Sequence, residues 1–184
     1  MKIKFTRIAS TLGLALALMQ PAATAWAHGD HGHGDSHAAM AHGGHDAAAA
    51  AAAANLPVSS HVTADACWIR QLPKPTPSGG FLVLHNQGGE PAVIAAVASP
   101  DYADVMLHQT TEENGVSKMS MIHQLTIPAG QRVELKPGSY HLMLEGPRDG
   151  LTVGDEAHVR FALGDGTAVD AACKVMSAKA TRKE

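Results

Sequence analysis

After Pro57 the chain is written largely in short alternations of apolar and polar residues, the period-two signature of half-buried strands. In SYHLMLEG, Tyr140, Leu142 and Leu144 fall on one face of a strand, and His141 and Met143 fall on the other. In DVMLHQT, Val105 and Leu107 point inward, leaving Met106 and His108 opposite. Comparable runs are VTADACWIR, GFLVLHN, PAVIAAVA, HQLTIPAG, QRVELKPG, DEAHVRFALG and TAVDAACKV. Between them lie PKPTPSGG, NQGGEP, EENG, PAGQ, KPGS and GPRDG, rich in the Gly, Pro and Asn that turns require. Roughly seven to nine short strands so punctuated predict an all-β domain, an antiparallel β-sandwich with at most minor helix.

The segment before this domain has a different character. Lys2, Lys4 and Arg7 precede an apolar run from Ile8 to Met19, and Ala25-Trp26-Ala27 follows as a small-x-small cleavage pattern. These features predict an export signal over residues 1–27 and a mature chain starting at His28. The apolar run falls short of the ~20 residues of a comfortable membrane span. No later stretch is longer, and no cysteine lies near the cleavage pattern to carry a lipid. The expected product is soluble and periplasmic, with no stable membrane insertion.

Residues 28–46, HGDHGHGDSHAAMAHGGHD, have almost nothing to bury and are expected to be disordered. Ala47 to Ala54 is an unbroken alanine run, read as a linker with transient helix at most. The folded domain is expected over residues 55–177, its start marked by Pro57, with a short tail over 178–184. Losing the three basic signal residues from the 14 Lys and Arg leaves 11 against 17 Asp and Glu, a formal charge of −6. A mildly acidic chain without basic clusters does not suit nucleic acid.

The candidate chemistry is a set of soft donors. His108, Met119, His141 and Met143 form the pattern H-x10-M-x21-H-x-M. Imidazole with thioether, and neither carboxylate nor thiolate, favours Cu(I) over harder divalent ions. Taken singly, Met119 and Met121 read as gap-filling core residues. The complete pattern arises by chance on the order of once in a thousand such sequences, which lifts it above its parts. Met106, Met121 and His123 are candidates for a surrounding shell, and Met121 with His123 also for an alternative ligand pair. In the tail, His28, His31, His33, His37, Met40, His42 and His45 form a flexible secondary set suited to Cu(II) and other divalent ions.

Cys67 and Cys173, an even pair in an exported chain, predict a disulfide. It would close a loop of about 107 residues and contribute ~4 to 5 kcal/mol on the chain-entropy model. A blue-copper centre needs a Cys close to a His and a Met, and Cys173 is followed only by Lys174, Val175 and Met176. His61, His85 and His158 read as surface, strand-end or polar-face residues. No Ser-His-Asp set, Cys-His dyad or carboxylate pair stands out, so no enzymatic activity is expected.

The same residues carry a family resemblance. The chain resembles the PCu(A)C-type periplasmic copper chaperones, whose signature has this His, Met, His and Met spacing. ACWIR, VMLHQTTEENGVSKM, LTIPAG, LKPGSYHLMLEG and LTVGDEAHVRFAL are similar to that family's successive strands and turns, over roughly residues 60–176. The resemblance implies a cupredoxin-like sandwich with one Cu(I) held at the four positions. It also implies delivery to a copper-acceptor protein, such as a cytochrome c oxidase copper domain or another copper chaperone.

Two other readings stand beside a metallochaperone. In a periplasmic buffering or resistance protein the His-rich tail would be the main sink, holding several weakly bound ions. A copper enzyme would use His28 as an amino-terminal chelating ligand, but a flexible tail is a poor base for preorganised catalysis.

Overall fold

The computed structural model describes residues 53–181. The expected export signal, the candidate secondary set from His28 to His45 and most of the alanine run lie outside the described residues. Ten strands follow in chain order: β1 (Val62–Arg70), β2 (Ser78–Asn86), β3 (Ala92–Ala98), β4 (Tyr102–Glu113), β5 (Val116–Met121), β6 (Leu125–Ile127), β7 (Arg132–Leu135), β8 (Tyr140–Pro147), β9 (Glu156–Leu163) and β10 (Ala168–Met176). They hydrogen-bond in the order β5-β4-β8-β2-β1-β10-β9-β3-β6, and β7 branches from β2. Among the described residues, no helix is long and apolar enough to cross a membrane.

The continuous sheet closes over one core, giving the all-β, cupredoxin-like sandwich that the alternation anticipates. Leu82 and Leu84 of β2, Val105 and Leu107 of β4, and Leu142 and Leu144 of β8 share a buried cluster with Ile94, Val159, Phe161, Val169 and Val175. Their neighbours along each strand face outward. The antiparallel expectation fails at one pairing, because β1 and β10 run parallel, with Trp68 opposite Lys174. Parallel neighbours need a long connection, and here nearly the whole domain provides it.

Two irregularities adjust this plan. In β1, Val62 and Ala64 pack on the core, and a strict period of two would carry Cys67 to the outer face. A bulge between Asp65 and Trp68, with Ala66 at φ 53°, adds the residue that reverses the phase. Cys67 and Ile69 then face inward, and Cys67 is joined to the fully buried Cys173. At the other end of the sheet, Asn114 and Gly115, at φ 54° and 77°, turn β4 back into β5. Both central residues at positive φ is the tight hairpin geometry that Asn-Gly favours.

Polar clamps fix the ends of the strands. Asp101, immediately before β4, accepts hydrogen bonds from the Arg148 side chain and the His158 amide. Burial pushes the Asp101 carboxyl up, but these bonds and the Arg148 charge outweigh it and hold the group below its ordinary value. Arg160 of β9 donates to the carbonyls of Ala53 and Leu56 and pairs with Asp170 of β10. The last alanines of the linker are thereby part of the packed domain, and Ala53 is fully buried.

Gly80 of β2 sits where the core is tightest. A Cβ there would lie 2.9 Å from Leu144 Cδ1 and 3.0 Å from Leu142 Cβ. Gly80→Ala is therefore expected to lower stability by ~1 to 3 kcal/mol, the range typical of overpacking. Urea unfolding should show a lower midpoint with an unchanged slope.

Candidate metal centre

The site is built by three adjacent strands. β4 and β8 pair with Met106 opposite Met143 and His108 opposite His141. On the other side of β4, β5 pairs with His108 opposite Met121 and Thr110 opposite Met119. Directly opposed residues share a face, so Met121, His108 and His141 form one row across the outer surface. Met106 and Met143 lie in the next row on one side, and Met119 lies one row away on the other. The four positions of the sequence pattern meet in this patch, on the reverse of the face that carries Val105, Leu107, Leu142 and Leu144.

Exposure grades across the patch. His108 is 8% exposed, whereas Met119 and Met121 are 54% and 51% exposed. Met106, His141 and Met143 are half-buried. Gap-filling methionines would sit inside the core, so the exposure of Met119 and Met121 removes that reading.

The imidazole of His141 is oriented by its own turn. Its Nδ1 lies 3.0 Å from the Ser139 carbonyl oxygen, which can only accept, so Nδ1 carries the proton. In the neutral ring, Nε2 then bears a lone pair, and it faces the Met119 sulfur at 3.2 Å. Two Lewis bases in contact are poor company for each other and good company for a cation. With bonds of the length soft ions form to nitrogen and sulfur, two donors on one tetrahedral ion stand about 3.5 Å apart. The His108 and His141 ring centroids are 5.9 Å apart, and His108 Nδ1 is buried without a hydrogen-bond partner. The donor set fits a soft monovalent ion. No group of three or more His, Cys, Asp or Glu gathers among the described residues to offer a harder ion a rival site.

Two carboxylates missed in the sequence reading border the patch. Asp104 stands opposite Glu145 on the same face, in the row beyond Met106 and Met143. The signal was present, since Asp104, Met106 and His108, like His141, Met143 and Glu145, are spaced by two. Their negative charge favours a cation nearby without supplying a ligand. Burial pushes the His108 imidazole below its ordinary pKa and the His141 ring pushes the same way, while the Met106 backbone and then the Glu145 charge oppose them. The net effect favours the neutral form of His108, the form in which an imidazole can ligate a metal.

No Ser-His-Asp set fit for catalysis is expected from the sequence, and the fold does bring one such trio of residue types together. Ser59 Oγ lies 3.5 Å from His61 Nδ1, and His61 Nε2 lies 3.4 Å from Asp165. The reason this grouping stays structural is local: the buried Ser59 hydroxyl accepts from the amides of His61 and Val62, closing the turn into β1. A nucleophile must present its oxygen to a substrate, and this one is committed to backbone. His85 and His158 pair loosely with Asp65 and Glu156, while His123 is exposed just beyond β5.

The depressed pKa of His108 has a stability consequence. A histidine that is harder to protonate folded than unfolded contributes stability above its unfolded pKa, and that contribution is lost as pH falls through the folded value. The metal-free protein should therefore lose stability between about pH 7 and pH 5. Chemical denaturation across that range should show a shallower loss for His108→Gln.

Comparison with known proteins fits this architecture. The family described as "Putative lipoprotein LpqE-like" matches residues 62–175. The chain is 31% identical over 91 residues to "Uncharacterized protein RP573" of Rickettsia prowazekii, and 30% identical over 91 residues to "Putative lipoprotein Lxx21020" of Leifsonia xyli subsp. xyli. Each alignment takes in 49% of this chain, and it spans only 50% and 55% of the two relatives' lengths. Among solved structures, the apo PCuAC domain of PmoF2 superposes with a TM-score of 0.56 at 19% identity, over 70% of this chain and 98% of that one. Its copper-bound form gives 0.54 at 18% identity, over 66% and 97%. At such identities the likeness is one of fold. The family match, by contrast, runs from the first strand to the last, and the chain belongs to the LpqE-like, PCuAC-type family.

Proposed function

We propose that the protein is a copper metallochaperone that takes up Cu(I) at His108, Met119, His141 and Met143 and passes it to an acceptor outside the cytoplasm. The observation that carries this reading is the contact between His141 Nε2 and Met119 Sδ, an imidazole nitrogen and a thioether sulfur 3.2 Å apart on two strands that flank β4. His108 and Met143 complete the set on the same face. Copper is cargo here, and the donors suit cargo. Thioether sulfur is soft enough to select Cu(I), yet neutral and weak, so an incoming thiolate or imidazole can replace it one bond at a time. Met119, more than half exposed, is the ligand that an acceptor would displace first. A copper domain of cytochrome c oxidase, or a second copper chaperone, has the ligands to receive the ion. The copper-bound state of the PmoF2 domain, on the same fold, supports copper as the ion.

Buffering by the His-rich tail is the competing reading, and it makes the core a scaffold. A chain beginning at Ala53 separates the two, because it keeps the residues that Arg160 clamps and drops the tail histidines. Loaded anaerobically with Cu(I), it should take up one ion, with both nitrogen and sulfur neighbours by X-ray absorption. The His141→Ala, Met143→Leu variant should lose that ion, with affinity falling beyond the roughly 10- to 100-fold that removal of an outer partner costs. Failure of the tail-less chain to hold stoichiometric Cu(I) would move the function into the tail.

A further inference from the structure

A cavity of about 110 Å³ opens at the end of β5, between β3 and the middle of β4. Met106, Met121 and His123 are among its lining residues, together with Ala96 and Val97 of β3. The first three carry donors for soft ions, and none of them belongs to the four-residue set. Their placement follows from the hairpin. Met121 stands opposite His108, and the Ile122 amide still bonds to the Leu107 carbonyl at 2.9 Å. The chain then bends at His123, which lines the same cavity as Met106, and Met106 stands opposite Met143 on its other side. Two groups of soft donors therefore share a border on one face without sharing a member.

We propose that Met106, Met121 and His123 form a second Cu(I) position beside the first. The proposal rests on the reading of His108, Met119, His141 and Met143 as a Cu(I) site. Two thioethers and an imidazole make a neutral, soft set, and Cu(I), a closed-shell ion, accepts three donors as readily as four. Packing does not account for Met121, which lies half exposed on the outermost strand. His123 is exposed as well, so this position meets an approaching acceptor more openly than buried His108 does. An ion released by the first set has a second within reach on the same surface, where it can wait for the acceptor's ligands.

Methionine methyl groups report each position separately. The full chain, labelled with ¹³C at the methionine methyls, is titrated anaerobically with Cu(I) and followed by NMR. The Met119 and Met143 methyls should shift first, and those of Met106 and Met121 in a distinct later step. Met121→Leu with His123→Ala should abolish the later step and leave the first unchanged. Silence of Met106 and Met121 at excess Cu(I), or their movement together with Met119 and Met143, overturns the second position alone. Silence of Met119 and Met143 overturns the four-residue site, and this proposal with it.

Discussion

A one-residue slip of β4 against β8 would turn Met106 and His108 into the core and send Val105 and Leu107 out to water. The apolar side and the soft-donor side of this sheet are therefore fixed by the same pairing. Burying a Leu or Val side chain is worth about 1.5–3 kcal/mol relative to leaving it exposed, and Val105, Leu107, Leu142 and Leu144 all depend on this register. Ligand geometry is held by hydrophobic burial on the opposite face, so the donors need no bonds of their own to stay together without an ion.

The grading of exposure gives the site a direction. His108, buried and kept neutral by its surroundings, anchors the inner end, while Met119 lies open on an edge strand. Imidazole and thioether donors bind as neutral groups, and the carboxylates of Asp104 and Glu145 stand in the row beyond Met106 and Met143. Attraction for a cation is thus separated from coordination. On the proposed reading, the carboxylates would raise the local concentration of positive ions and the sulfurs and imidazoles would choose among them.

Where burial is one-sided the alternation was legible, and the inward and outward faces of the core strands, β4 and β8 among them, follow from it. β5 was not legible, because every one of its residues is exposed and no apolar rhythm marks it. Its evidence was Asn114-Gly115 alone, read as a turn without the strand that returns from it. The four-residue pattern was visible as spacing, but spacing could not tell that Met119 would reach His141 across β4, since that depends on the hairpin register. The bulge in β1 escaped notice because the small methyl of Ala66 is neither clearly apolar-facing nor polar enough to betray a change of phase. The parallel pairing of β1 and β10 was hidden for a different reason: strand direction leaves no trace in composition.

The joining of Cys67 on the first strand to Cys173 on the last encloses nearly the entire domain in one covalent ring. A protease that cuts any one loop between them yields two pieces still tied to each other, with β1 and β10 still side by side. The nicked molecule re-forms its sheet as an intramolecular event, at high effective concentration, instead of dispersing. The bridge thus gives tolerance to a backbone cut that an equilibrium stability alone would not provide.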